Sequence, residues 1–201
     1  MPYQNRVDPY GRIHAASHRG VLMGNRGCLH NAQKEIIKPF QLKRWIICVL
    51  NFKNRSREIM RKGHYTELFF LDEATALAAG HRPCAECQRV RFNAFKQTWS
   101  EGNRTEINKI EELDEVLHRE RLIPQKPLIH KENLLNGVMV ATDERPHLYF
   151  QELLYPWSFS GYEKGIQLVH KNYKLLTPTS TLKAIQAGYQ VDIQLKRADD
   201  Q

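Results

Sequence analysis

"FFLDEATALAAGHRPCAECQR", residues 69–89, decides the fold. It passes from apolar, strand-like residues into a short alanine-rich segment, a glycine stop and a CxxC. Asp72 is placed to cap a helix carried by Glu73, Ala74, Ala76, Leu77, Ala78 and Ala79. Gly80 is placed to end it in a left-handed cap, and Pro83 prevents its continuation. Cys84 and Cys87 stand two residues apart at a turn that feeds the next helix, the spacing of half a zinc knuckle.

Working outward, 44–53 ("RWIICVLNFK") is a β-rich run and 66–70 a second strand. Residues 1–44 read as loops with short pieces of structure. A helix is expected over about 86–99, with Val90, Phe92, Ala94, Phe95 and Trp99 apolar and Arg89, Arg91 and Lys96 on a basic face. "EINKIEELDEVLHRERL" is an amphipathic helix whose stripe is Ile107, Ile110, Leu113, Val116 or Leu117, and Leu122. "NGVMVATDERPHLYFQELLYPWSFSGY" reads as a β-meander with turns at 136–137 and 143–146. "LLTPTSTLKAIQAGYQV" closes with a capped helix and a second Ala-Gly stop. It echoes the 69–89 segment when Gly188 is set on Gly80, and common capping rules account for the echo. The expected class is α+β: one compact unit with a zinc-stapled, basic N-terminal lobe (1–100) and a helix-plus-meander C-terminal lobe (101–201).

Composition bounds the function. The 201 residues carry a net charge of +8, unevenly spread. Residues 1–62 hold thirteen Lys/Arg against three Asp/Glu, and 63–201 hold seventeen against nineteen. A basic excess confined to one end points to a polyanionic partner, with DNA the first candidate; a solvated basic surface is the alternative. Expected contacts are Arg19, Arg26, Lys43, Arg44, Arg55, Arg57 and Arg61. No apolar run spans a bilayer and the first twenty residues have no signal-peptide core, so a cytoplasmic protein without membrane contact is expected. Thiols stay reduced there, and four cysteines then suggest metal or chemistry before disulfides.

A zinc half-site needs two more ligands. Cys28 and Cys48 would complete four thiolates with Cys84 and Cys87, closing a structural Zn²⁺ site; His30 is an alternative to Cys28, and His64 and His81 are further substitutes. Against this, a lone strand cysteine such as Cys48 is commonly a small core residue. A redox CxxC is the rival reading, but such a pair stands after a strand and before a helix, whereas a helix and a glycine turn precede this one.

Residues 70–87, "FLDEATALAAGHRPCAEC", resemble the second half of the zinc domain of Ada-type DNA repair proteins. There a short helix with Ala-Ala-Gly, an aromatic, and Arg-Pro-Cys-x-x-Cys supply two of four zinc cysteines. The Ada C-x-x-x-C pair upstream has no counterpart in "KNRSREIMRK" (53–62), so methyl-phosphotriester repair is not implied. The resemblance implies a zinc-stapled fold and contact with a DNA backbone. "RGVLMGNRGCLHN", the 65–89 segment, "LYPWSFSGY" and "TPTSTLKAIQAGY" together resemble a family of small, uncharacterised bacterial proteins, which implies one unit and supplies no function.

Three further features bear on chemistry. "HRGVLMGNRG" (18–27) sets glycines around Arg19 and Arg26, as a phosphate-contacting loop would; an ordinary glycine-rich loop reads the same way. "ELDEVLHRERL" places Asp114 and His118 four apart on one helical face with Glu120 beside them. That is a candidate hydrolytic trio with Mg²⁺, set against a plain solvated face of i,i+4 pairs. "YPWSFSGY" can stack bases or fill a core. Whether the chain is an enzyme is left open.

Overall fold

A computed structural model describes residues 1–53 and 58–195. Arg55 and Arg57, two of the expected nucleic-acid contacts, lie outside the described residues. The fold is mixed α+β, with two sheets and four α-helices among the described residues. Among the described residues no helix is long and apolar enough to cross a membrane.

The first sheet is built from β1 (Gln4–Val7), β2 (Ile13–Ala15), β3 (Leu22–Asn25), β4 (Ile46–Val49), β5 (Leu68–Phe70) and β6 (Arg82–Pro83). Its strand order is β2-β1-β5-β3-β4-β6. Strands β3 and β4 pair antiparallel with Met23 opposite Cys48. The edge pair β4–β6 is parallel, with Ile46 beside Arg82 and Ile47 beside Pro83. The N-terminal segment therefore contributes three strands, where the sequence showed only loops with short pieces of structure.

The opening stretch folds as its residues direct. Helix α1 (Glu73–Ala78) begins at Asp72, whose carboxylate accepts from Thr75 N at 2.9 Å and Thr75 Oγ1 at 2.7 Å. All six of its residues are buried, which small alanines permit without crowding. At its end Gly80 has φ +82°, Gly80 N donates to Leu77 O, and His81 N donates to Ala76 O. Helix α4 (Thr179–Gln186) ends the same way: Gly188 N donates to Ile185 O and Tyr189 N to Ala184 O. The two stops share their C-terminal bonding, but their starts differ. Asp72 caps α1, whereas Ser180, its counterpart in the echo, is already the second residue of α4.

Helix α2 (Arg89–Asn103) starts later than the expected 86 and buries Phe92, Phe95 and Trp99. Val90 is turned to solvent, 83% exposed. Helix α3 (Ile110–Arg121) buries Leu113 and Leu117, but also Asp114 and His118. Leu122 is exposed, so the buried stripe is narrower in apolar residues and wider in polar ones than expected. Helix α2 packs on α4 closely enough that a Cβ on Gly102 would lie 2.1 Å from Lys183 O. Alanine favours a helix interior by about 1 kcal/mol over glycine. Here the backbone clash outweighs that gain, and Gly102→Ala is expected to lower stability by about 1–3 kcal/mol. A lower urea midpoint at unchanged slope would show it; a raised midpoint would show that the helices can part.

The second sheet contains β7 (Leu128–His130), β8 (Met139–Thr142), β9 (Arg145–Phe150), β10 (Leu153–Ser158), β11 (Gly161–Tyr162) and β13 (Asn172–Leu175), in the order β11-β10-β9-β8-β13-β7; β12 (Ile166–Gln167) pairs with β10. Strands β8, β9 and β10 form the expected antiparallel meander. One hydrophobic core serves both sheets: Val7, Leu68, Phe70 and Leu77 pack in a cluster with Leu113, Val138, Leu154 and Tyr173. A second cluster joins Ala74 and Ala78 to Leu148, Trp157 and Tyr162. Trp157 Nε1 donates to Thr75 Oγ1 at 3.0 Å and Tyr162 OH to Asp72 at 2.9 Å. Those two aromatics of "YPWSFSGY" are core, the tip of Tyr162 satisfied by the cap Asp72 and that of Trp157 by Thr75 in the first turn of α1. Finally, 190–195 runs back over the start of α1. Asp192 N donates to Glu73 at 2.8 Å, Gln194 N reaches Asp72 at 3.3 Å, and Gln190 O accepts from Arg91.

Candidate metal centre

The sulfurs of Cys48, Cys84 and Cys87 lie within 4.8 Å of one another. The geometry follows from strand register. In the parallel β4–β6 pair, Ile47 stands beside Pro83, so the next residue on each strand brings Cys48 abreast of Cys84. Cys84 N donates to Ile47 O at 2.9 Å and carries that pairing one residue past β6. The turn 84–87 then swings Cys87 onto the same point, just before α2. The CxxC pair was legible in the sequence. Cys48 needed the parallel pairing of two strands whose partners, such as Ile46 and Arg82, are 36 positions apart, for which the sequence has no local signal.

The electrostatics favour ligation. Cys84 Sγ accepts from Glu86 N at 3.4 Å. Hydrogen bonds from the Cys48 thiol and the backbone pull the Cys84 pKa down to about 5 against a smaller opposing push from burial. Cys48, the donor in that arrangement, is held in its thiol form well above the ordinary range, and burial pushes the Cys87 thiol up. One ready thiolate stands beside a buried and a half-buried thiol, and a soft or borderline divalent ion would displace the protons and be offset by the three sulfurs.

The site differs from a closed four-thiolate centre. Cys28 is outside the group. It is half-buried beyond the end of β3, and its thiol lies 3.7 Å from His30 O. His30 is engaged at both ring nitrogens, with Thr66 Oγ1 at 2.6 Å and Arg61 O at 3.3 Å. His81 is buried against Arg26, Trp45 and Phe70. Among the described residues no fourth metal-ligating side chain joins the group, and a cleft of about 540 Å³ adjoins all three cysteines. Arg44, Phe52, Tyr65, Glu67, Phe69 and Glu86 are among its walls. The CxxC also follows strand β6 and precedes α2, the context a redox pair would have; the third sulfur is what turns the reading toward metal.

The expected hydrolytic trio is dispersed. Asp114 makes a bidentate pair with Arg82, both bonds 2.8 Å, with both side chains at most 5% exposed. His118 packs edge-on against Phe40, and its Nδ1 has no hydrogen-bond partner among the described residues. Its pKa is lowered by burial and then by Arg121 and Lys43. Glu120 accepts from Ser180 N at 3.0 Å and Ser180 Oγ at 2.6 Å. It caps the start of α4, whose own N-cap position is Pro178. Each member of the trio thus has a structural partner of its own, and Asp114 does not orient His118.

The expected basic surface is also divided. Arg19, Arg44 and Arg61 are exposed, while Lys43 pairs with Glu115 at 2.6 Å. Arg26 is 1% exposed and turned into the protein, so it is not a surface contact. The glycines of the 18–27 segment serve packing rather than a ligand: a Cβ on Gly24 would sit 2.4 Å from Ile46 O, and one on Gly20 2.4 Å from Phe70 O.

No family model, no curated protein and no solved structure matches the chain.

Proposed function

We propose that the protein is a zinc-centred nucleic-acid-binding protein, with DNA its preferred partner. The observation that carries the metal half is the convergence of Cys48, Cys84 and Cys87. Sulfur ligands at such spacing suit Zn²⁺ among the common divalent ions. The ion would tie the β4–β6 edge to the turn before α2, stapling the N-terminal lobe. The nucleic-acid half is supported by the basic excess of residues 1–62 and by exposed Arg19, Arg44 and Arg61 in the same lobe. The Ada-type resemblance of 70–87 points the same way.

Gel retardation of labelled duplex and single-stranded DNA across a salt series tests it. Affinity is expected to fall linearly in log–log form with a slope of about −3 if three or four phosphates are neutralised. Arg19→Ala, Arg44→Ala and Arg61→Ala together are expected to flatten that slope by roughly one for each arginine that neutralises a phosphate. Binding that ignores salt, or the absence of any shift at low salt, would remove the DNA reading.

One observation favours a second reading. Three protein ligands beside an open cleft is the pattern of a metal centre that keeps a position for water or substrate, whereas structural zinc is enclosed by four. An enzyme acting on nucleic acid or a nucleotide would use that open position, in the cleft lined by Arg44 and Tyr65. Shortened DNA in the same gel, with metal-loaded protein, would select it.

A further inference from the structure

Strand alternation separates two faces of the first sheet. Cys48 and Ile46 border the cleft beside the metal centre, as do Met23 and Asn25 on the neighbouring strand. Trp45 and Arg26, one residue out of step with them, border another cleft of about 500 Å³. The two clefts share no lining residue, as opposite faces of one strand require.

The charge of this second cleft is one-sided. Arg12, Arg26, Lys38, Arg121 and Lys126 line it, and no carboxylate does. Arg26 and Arg121 both lie over the Trp45 ring, 3.8 and 4.1 Å from its centroid. Their hydrogen bonds go to neutral acceptors. Arg26 donates to His81 Nε2, Gly11 O and Pro39 O, and its Nη2 has no partner among the described residues. Arg121 donates only to backbone carbonyls, of Leu117, Gly80, Lys43 and Asp114. Lys126 likewise reaches only the carbonyls of Glu120 and Arg121. Charges facing the cluster from behind do not neutralise it: Asp8 is engaged with His14 and Arg12 N, and the Asp114 carboxylate with Arg82. Burial lowers the pKa of Arg26 and of Arg121 to about 9; Asp114, Glu115 and Glu120 partly oppose this for Arg121, and Asp8 does for Arg26, while a neighbouring arginine adds to the fall for each.

Burying two guanidiniums with carboxylates near but none in hydrogen-bond contact among the described residues is costly, and a protein normally pairs them directly. We propose that this cleft is a binding site for a phosphomonoester, whose oxygens take the free Arg26 donor and whose negative charge offsets Arg26 and Arg121. A phosphomonoester is close to doubly charged at neutral pH and presents several acceptors, which the forked donors of arginine match. The remaining wall (Ile13, Ile36, Ile37, Pro39 and Phe40) is apolar and suits an organic body of mononucleotide size. The site is independent of the cysteine centre and of any DNA surface.

Adenosine 5′-monophosphate, adenosine, and a tetranucleotide with either a 5′-phosphate or a 5′-hydroxyl are the probes, at constant ionic strength set with chloride. The readouts are the thermal midpoint and isothermal calorimetry on the full chain. Either phosphorylated probe is expected to raise the midpoint saturably, and its unphosphorylated partner is not; which one binds tighter identifies a small ester or a strand terminus as the source. Arg12→Ala combined with Lys38→Ala, both at the cleft wall, is expected to weaken binding at least about ten-fold. Arg26→Met should abolish it, and the wall variant keeps the test valid if that core variant does not fold. Cys84→Ser should retain it, which separates failure of this site from failure of the metal reading. No saturable response to either phosphorylated probe, or an unchanged affinity in the Arg12/Lys38 variant, would overturn the assignment.

Discussion

Cys84→Ser is expected to lose the metal: from one equivalent per chain to about a tenth of that or less after dialysis, because two sulfurs hold zinc far more weakly than three. Cys48→Ser should do the same, since strand register puts the two sulfurs abreast. Cys28→Ser should keep its metal in full, because its thiol is outside the group. Metal binding to the folded state alone is folding free energy. The chain has a core of its own, so the loss should be partial, about 4 kcal/mol, and at 2–4 °C per kcal/mol for this size it lowers the melting midpoint by about 10 °C. Elemental analysis beside thermal melts of the three variants decides. Loss of metal in Cys28→Ser with retention in Cys48→Ser would reverse the ligand assignment.

Asp114→Asn is expected to be the most damaging single-atom exchange in the chain. It leaves Arg82 charged, 2% exposed and short of its bidentate partner. Removing one member of a buried pair typically costs about 3–5 kcal/mol, far more than the intact pair contributes over apolar residues of like volume. Arg82→Leu combined with Asp114→Leu should therefore recover much of the loss. By contrast, breaking the exposed Lys43–Glu115 pair should leave stability unchanged. Urea unfolding of the three variants beside the wild type measures the difference. If Asp114→Asn unfolded at the wild-type midpoint, the pair would not be what fixes α3 against β6, and a chemical role for Asp114 would return.

What was legible in the sequence is what short-range rules govern. Asp72 and Gly80 mark α1 because caps are local, and the CxxC is a local motif. The hairpin at Asp143 and Glu144 was read from a turn-rich run, but the turn at Gln151 and Glu152 has the same positive φ values without a glycine or asparagine to announce it. Strands β1 and β2 went unread because their residues are short, polar runs stabilised by partners elsewhere, such as Arg6 beside Phe69. The polar face of α3 misled for a related reason. Asp114, His118 and Glu120 looked like chemistry on an open surface, and only the tertiary arrangement shows Arg82, Phe40 and Ser180 waiting for them. Arg26 misled in the opposite sense: a loop arginine among glycines is read as exposed, yet it is among the most buried side chains.

The strap formed by 190–195 has a consequence for how the chain comes off the ribosome. Glu73 and Asp72 accept hydrogen bonds from Asp192 and Gln194, and Tyr189 OH donates to Glu73 at 2.6 Å. Until those late residues emerge, Asp72 has its cap bonds from Thr75 and Glu73 its pair with Arg91, but each carboxylate lacks the last of its final partners. The N-terminal lobe then waits, with part of its shared core uncovered, through the synthesis of the roughly one hundred residues between α1 and the strap. A stop codon shortly before residue 190 would leave Glu73 and Asp72 without these bonds.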